Sequence, residues 1–221
     1  TLAPELAGAD ALIDDLRREG IIVAAGHTDA GFDAALRAFD RGVSMVTHLF
    51  NAMRPFHHRE PGVVGAVLED TRVGASLILD GVHVHSGAAR LACRLLGPDR
   101  AVLVTDAIAA AGAPPGRYRL GSRDVTYDGT APRLADGTLA GSVLAMDRAV
   151  AAAVALGWPL RDAVRMAAET PARILGLPAQ ARLAPGADGD LVVLDEALHV
   201  ELTVCAGEVI YRRNQIAGPR P

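Results

Sequence analysis

His27 in "AAGHTDA", His48 in "VTHLFNAM", His83 in "DGVHV" and Asp106 in "LVTDA" share one feature: each closes a short, continuously apolar run. A lone histidine in such a place is most often a hydrogen-bonded polar group at a core edge. Four titratable endings in one chain favour a reaction centre instead. Neutral imidazoles and an acid on adjacent strands are ligand types suited to a divalent metal such as zinc, with a coordination position left open for water.

Other polar groups follow these endings. Asn51 and Ala52, just past His48, are placed to hydrogen-bond a polar ligand through side chain and backbone, although asparagine also simply favours turns. Arg59, in "RPFHHREPG", is either a solvated charge or a fork that holds an anion bidentately. The glycines of "GTLAGS" bring backbone close to a ligand or only shape a turn. His57 and His58 read as solvated loop groups, His85 as an exposed neighbour of His83, and His199 as structural.

These residues need a scaffold that gathers them. The runs beginning near residues 21, 43, 75 and 101 are continuously apolar rather than alternating, as parallel strands covered on both faces are. Helical patterns "ADALIDDLRREG", "DAALRAFDR" and "GAARLACRLL" precede or separate them, with apolar positions at i, i+3 and i+4. The strand spacing approaches the ~30 residues per unit of a (β/α)8 barrel, in which all strand C-termini meet on one functional rim. The fold expected is therefore α/β, the C-terminal part of a TIM-type barrel.

Beyond Asp106 the pattern changes. "GRYRLGSRDVTYDGTAPRLADGTLAGS" reads as a hairpin excursion punctuated by Asp-Gly and Gly turns. Two helices follow, one with Ser142 as its N-cap, the other broken or kinked by Pro171. From Arg182 about three strands form a small β appendage, and the Pro-rich tail from Gly218 is expected to fray. The division expected is a partial barrel over 1–177 and the strands of a small β domain over 178–221.

Composition narrows the function further. Half of the 221 residues are apolar, and 22 basic against 26 acidic residues leave a formal charge of −4 with no long run of either sign. A globular protein follows, and nucleic acid is a poor partner for it. The two cysteines, Cys93 and Cys205, lie far apart and outside any CxxC spacing, which fits a reducing cytoplasm better than a disulfide framework. The longest apolar stretch, Ala149 to Leu156, is too short to span a bilayer, so no membrane role is expected.

Taken in order, "TLAPE", "AAGHTDA", "THLFNAM", "REPGVVGAVL", "DGVHV", "LVTDA" and "GTLAGS" resemble N-acetylglucosamine-6-phosphate deacetylases of the amidohydrolase superfamily. "PARILGL" and "LAPGADGDLVVLD" resemble the exit from such a barrel into its small β domain. The resemblance implies barrel strands five to eight, with His27 and His48 as metal ligands on the fifth and sixth. Asp106, ending the eighth, would be the catalytic acid/base. It implies that Asn51, Ala52, Arg59, the stretch Asp80, Gly81, Val82 and His83, and Leu139, Ala140 and Gly141 hold the substrate, with Arg59 and His83 at its phosphate. The metal implied is zinc, with iron, cobalt, manganese or nickel as alternatives. The resemblance likewise implies N-acetylglucosamine 6-phosphate as substrate and a homodimer as the assembly of the intact protein.

The family's further metal ligand is a glutamate in an "HLEGP"-type motif on an early barrel strand, and no such motif occurs here. The chain, which begins at Thr1, is accordingly expected to be one piece of a longer protein. Two other readings stay open: a catalytically incomplete fragment that binds a phosphosugar, and another amidohydrolase of the dihydroorotase or cyclic-amidase type.

Overall fold

The computed structural model describes residues 1–177 and 180–213. The expected tail from Gly218 and the first residue of the proposed β domain, 178, lie outside the described residues.

Four short strands form a wholly parallel sheet in sequence order: β1 (Val23–Ala25), β2 (Val43–Val46), β3 (Gly74–Leu77) and β4 (Ala101–Leu103). Parallel neighbours require crossovers. Here α2 (Phe32–Arg41), α3 (Gly62–Glu69) and α4 (Ser86–Leu96) supply them, while α1 (Ala9–Arg18) precedes β1. The strands are apolar because both faces are covered: all four residues of β3 are buried, as are Val23, Ala25, Val43, Val46 and Leu103. Ile13 of α1, Ala35 and Phe39 of α2, and Ala89, Ala92 and Cys93 of α4 complete one continuous core. Ahead of α1, Leu2 pairs in parallel with Ala25, donating its N–H to the Ala24 carbonyl.

α3 departs from the expectation, which placed no helix between the second and third strands. Its sequence "GVVGAVLE" combines glycines with β-branched residues, poor helix formers with no polar face. The segment is helical because it is buried on nearly all sides, Gly62 through Val67. Ile21 and Ile22, expected to open the first strand, are exposed ahead of it.

The excursion is an antiparallel sheet of β5 (Gly116–Leu120), β6 (Arg123–Tyr127) and β7 (Pro132–Arg133). α5 (Met146–Ala155) and α6 (Leu160–Ala167) then pack beside β4, and α7 (Glu169–Ile174) follows after a break at Ala168, three residues before Pro171. Ser142 does not cap the helix after it: α5 starts four residues later with Ala145 at its N-cap. The hydroxyl is used elsewhere, as described below. β8 (Leu191–Leu194), β9 (Val200–Cys205) and β10 (Glu208–Arg212) supply the three strands expected of the appendage and pair antiparallel in the order β10-β9-β8. Among the described residues no helix is long and apolar enough to cross a membrane.

Candidate active site

His27, His48 and Asp106 all stand just past strand C-termini, as the sequence led one to expect, and all three adopt left-handed backbone conformations: φ is 50°, 32° and 50° respectively. Such a conformation costs a non-glycine residue about 1–3 kcal/mol, persists only where surrounding structure enforces it, and clusters at functional sites. The turn after β2 is more contorted still, since Phe50 and Ala52 are also left-handed.

The imidazoles of His27 and His48 meet. Their Nε2 atoms are 2.9 Å apart and the rings are edge to face at 74°. His48 is buried whereas His27 is exposed. Burial, and then the neighbouring His27, hold the His48 imidazole below its usual value, against the opposing pull of the Asp106 carboxylate. A neutral ring, the form in which histidine binds metal, is thus favoured at His48. Its Nδ1 is buried with no hydrogen-bond partner among the described residues.

Two imidazoles on one tetrahedral zinc lie about 3.3 Å apart, given bonds of about 2.05 Å. The observed pair, at 2.9 Å, is about 0.4 Å closer than that, so a small separation of the two rings would let them share a single ion. Among the described residues no third histidine, cysteine or carboxylate joins them to form a larger metal-holding group.

The approach of the two strand ends depends on Gly26. A Cβ there would fall 2.8 Å from Thr47 Cβ. Beyond it, Thr28 N–H donates to the Ala52 carbonyl and Arg54 N–H to the Thr28 carbonyl, joining the two histidine loops. Thr28 Oγ1 donates to Glu5 Oε2 at 2.5 Å and accepts from Ala30 N–H, while Asp29 N–H donates to Glu5 Oε1. Arg54 closes the same corner with a bidentate pair to Asp29 at 2.9 and 2.7 Å. Sequence reasoning assigned no role to Glu5, Thr28 or Arg54. Glu5 lies within the quoted "TLAPE", but no spacing rule connects it to residues 28 and 29.

Asp106 is exposed, and the "GTLAGS" segment lies against it. Ser142 N–H donates to the Asp106 carbonyl at 2.7 Å, and Ile108 N–H to the Ser142 carbonyl. Gly141, at φ 69°, has no room for a side chain: a Cβ would fall 2.5 Å from Ile108 Cγ2 and 2.9 Å from the Asp106 carbonyl oxygen. Ala140 is buried, with its N–H bonded to the Pro132 carbonyl, and Leu139 bridges Arg133.

Asp80 and His83 form a second polar pair. Asp80 Oδ1 accepts the N–H groups of Val82 and His83, and Oδ2 lies 2.6 Å from His83 Nδ1. The side chains are 14% and 4% exposed, while Gly81 and Val82 form an exposed loop tip between them. Burial pushes the Asp80 carboxyl up, but the His83 ring and the two backbone donors hold it below the usual carboxylate range. Asn51 spends its Nδ2 on the carbonyls of His48 and Leu49 within its own turn. Arg59 is exposed, and among the described residues no acid pairs with its side chain. His85 is exposed at the N-cap of α4, accepting the Gly87 N–H, and His199 sits on the appendage beside Asp195.

Known proteins resemble this chain in sequence and in fold. The chain is 42% identical over 215 residues to the N-acetylglucosamine-6-phosphate deacetylase of Lysinibacillus sphaericus, covering 97% of this chain and 56% of that protein. It is also 42% identical over 210 residues to the N-acetylgalactosamine-6-phosphate deacetylase of Escherichia coli O157:H7, covering 94% of this chain and 55% of the relative. The chain thus spans about half the length of the curated relatives it matches. Among solved structures, a D267A mutant of N-acetyl-D-glucosamine-6-phosphate deacetylase from Mycobacterium smegmatis, in complex with N-acetyl-D-glucosamine-6-phosphate, superimposes with a TM-score of 0.91. It is 46% identical, over 94% of this chain and 56% of that one. The α/β fold is that of these enzymes. The model of the amidohydrolase family matches residues 5–210, and the chain belongs to that family.

Proposed function

We propose that this chain is the C-terminal part of a metal-dependent, cytoplasmic deacetylase of amino-sugar catabolism. The reaction is hydrolysis of N-acetylglucosamine 6-phosphate to glucosamine 6-phosphate and acetate. The observation that carries this reading is the approach of His27 Nε2 to His48 Nε2 on adjacent parallel strand ends, with the Asp106 carboxylate acting on the same imidazole. The relatives' names supply the substrate. In this reading β1 to β4 are about the fifth to eighth strands of a (β/α)8 barrel, residues 1–177 belong to the barrel and 178–221 to a small β domain. The whole enzyme is a homodimer.

His27 and His48 would hold the metal, zinc first. Such an ion supplies Lewis-acid polarisation of the amide carbonyl and acidifies water. Asp106 takes a proton from the attacking water and returns it to the sugar nitrogen as the C–N bond breaks, so that the amine leaves neutral. Asn51 and Ala52, Asp80 to His83, and Leu139 to Gly141 line the sugar. Arg59, with no acid paired to it among the described residues, is free to take the 6-phosphate as a fork with His83 beside it.

Acetate released from N-acetylglucosamine 6-phosphate by the metal-loaded protein tests the reading. Asp106→Asn should lower kcat by about 10²–10⁴-fold while substrate still binds, and His27→Ala and His48→Ala should each lose the metal. Undiminished turnover in Asp106→Asn overturns the mechanism. The Escherichia coli relative favours a second substrate, the galactosamine epimer. Equal kcat/KM on both epimers would widen the assignment to N-acetylhexosamine 6-phosphates.

A further inference from the structure

Besides His48, the buried polar residues among those described are Thr28, Ser76, Ser142 and Thr170. Three of these four hydroxyls stand at His27, His48 and Asp106, each left-handed. Thr28 directly follows His27, and its hydroxyl ties that turn to Glu5 and Ala30. Ser76, on β3, takes the His48 N–H on its Oγ at 2.7 Å and the Leu49 N–H on its carbonyl at 2.8 Å, so one residue grips both peptide groups flanking His48. Ser142 brackets Asp106: its Oγ donates to the Thr105 carbonyl, its N–H to the Asp106 carbonyl, and its own carbonyl accepts Ile108 N–H. The fourth hydroxyl, Thr170, bonds the Pro98 carbonyl and touches none of the three.

We infer that Thr28, Ser76 and Ser142 are positioning residues for His27, His48 and Asp106, each fixing one strand-end turn in the conformation that aims its side chain at the common site. This rests on the reading of the two histidines as metal ligands and of Asp106 as the proton carrier. Two facts separate it from ordinary core packing. Each hydroxyl bonds backbone within three residues of a left-handed residue, and none of the three turns uses glycine at the left-handed position, where glycine would need no brace.

The test compares Thr28→Val, Ser76→Ala and Ser142→Ala with Thr170→Val, which removes an equally buried hydroxyl away from the site. All four should lose thermal stability. Thr28→Val and Ser76→Ala should also weaken zinc affinity, measured by chelator competition, by about 10–100-fold, as loss of a ligand's orienting partner does. Thr170→Val should bind zinc like the parent. Ser142→Ala should keep zinc affinity and KM but lower kcat, and Thr28→Ser, which keeps the hydroxyl, should restore zinc binding even if Thr28→Val fails to fold. Zinc affinity unchanged in Thr28→Val and Ser76→Ala, or reduced as much in Thr170→Val, overturns the inference. If the parent binds no zinc, the proposed function falls, and a metal-independent arm decides this inference. The proton cross-relaxation between the His27 and His48 rings, whose centroids are 4.7 Å apart, should vanish in Thr28→Val and Ser76→Ala and persist in Thr170→Val; persistence in all three refutes the bracing.

Discussion

Replacing Asp80 by asparagine isolates one interaction, because the two carboxylate oxygens have separate duties. Oδ1 accepts both backbone N–H groups, from Val82 and His83, and an asparagine oxygen keeps those bonds. Oδ2 faces His83 Nδ1 alone, at 2.6 Å, and becomes an amide nitrogen that can only donate. The proton on the ring must then move from Nδ1 to Nε2, and the charge-assisted bond is lost. Such a bond contributes about 1.5–3 kcal/mol, and the pair is nearly enclosed, at 14% and 4% exposure, so solvent screening is small. If His83 meets the sugar phosphate, KM for N-acetylglucosamine 6-phosphate should rise by about 10–100-fold, the same free energy at 1.4 kcal/mol per decade, with kcat little changed. Steady-state kinetics on the metal-loaded protein reads both. A pH arm checks the cause. The folded Asp80 carboxyl lies below its ordinary value, so its stabilisation is complete above the unfolded value of about 3.9 and is lost as pH falls through the folded one. The stability gap between parent and Asp80→Asn should therefore be constant at neutral pH and shrink below about pH 4. An unchanged KM, or a fall in kcat alone, would refute the assignment of His83 to phosphate. A stability gap that widens in acid would refute the electrostatic account of the pair.

Two further outcomes concern the scaffold. The Arg100 guanidinium donates to the carbonyls of Val67, Asp70 and Val73 and, through its other nitrogen, of Leu95, tying the C-terminal turns of α3 and α4 together. Arg100→Ala should cost about 3 kcal/mol and lower Tm by roughly 6–12 °C, and Arg100→Lys should recover less than half of it because an ammonium lacks the fork; a lysine variant as stable as the parent contradicts this. Burial pushes the Cys93 thiol up to about 11, with the residue 0% exposed, whereas Cys205 is exposed. A disulfide reagent at neutral pH should titrate one thiol in the folded protein and two after denaturation, and two fast thiols in the folded state would show that α4 opens readily.

The strand ends were legible because a parallel sheet imposes a simple pattern: continuous apolar bodies, then polar groups where cover stops. His27, His48 and Asp106 could be read that way, and the resemblance supplied their roles. α3 could not, since "GVVGAVLE" has no helical amphipathicity and is mostly glycine and valine, poor helix formers, so that burial makes it helical. Ser142 misled for a related reason. A serine ahead of a helical pattern reads as an N-cap, but its hydroxyl is drawn to Thr105, a residue 37 positions away that no local rule could connect to it. Ser76 was silent because a small residue inside "GASLILD" looks like packing; only the pairing of β2 with β3 reveals that its side chain faces the His48 amide.

Chemistry and stability are divided between turn and strand. Three left-handed residues at about 1–3 kcal/mol each add up to a large part of the 5–15 kcal/mol by which a domain is ordinarily stable. An apolar strand body cannot relieve that strain, because dispersion contacts are indifferent to the φ of the residue beyond the strand. Directional hydrogen bonds can, at a net ~1 kcal/mol each, provided that they close on groups which do not move. Ser76 meets this condition through β3, all four residues of which are buried, and Ser142 through its parallel bridge to Ala107. Thr28 is the exception. Its partner Glu5 is exposed and belongs to a segment that Leu2 holds, by bonds to Ala24 and Gly26, and that Thr1 ties to the Thr47 hydroxyl. Of the three hydroxyl braces, the one at His27 therefore closes on the least firmly held partner. His27 amide and side-chain order should be the first to fail as the protein is warmed, before His48 or Asp106 loses its place.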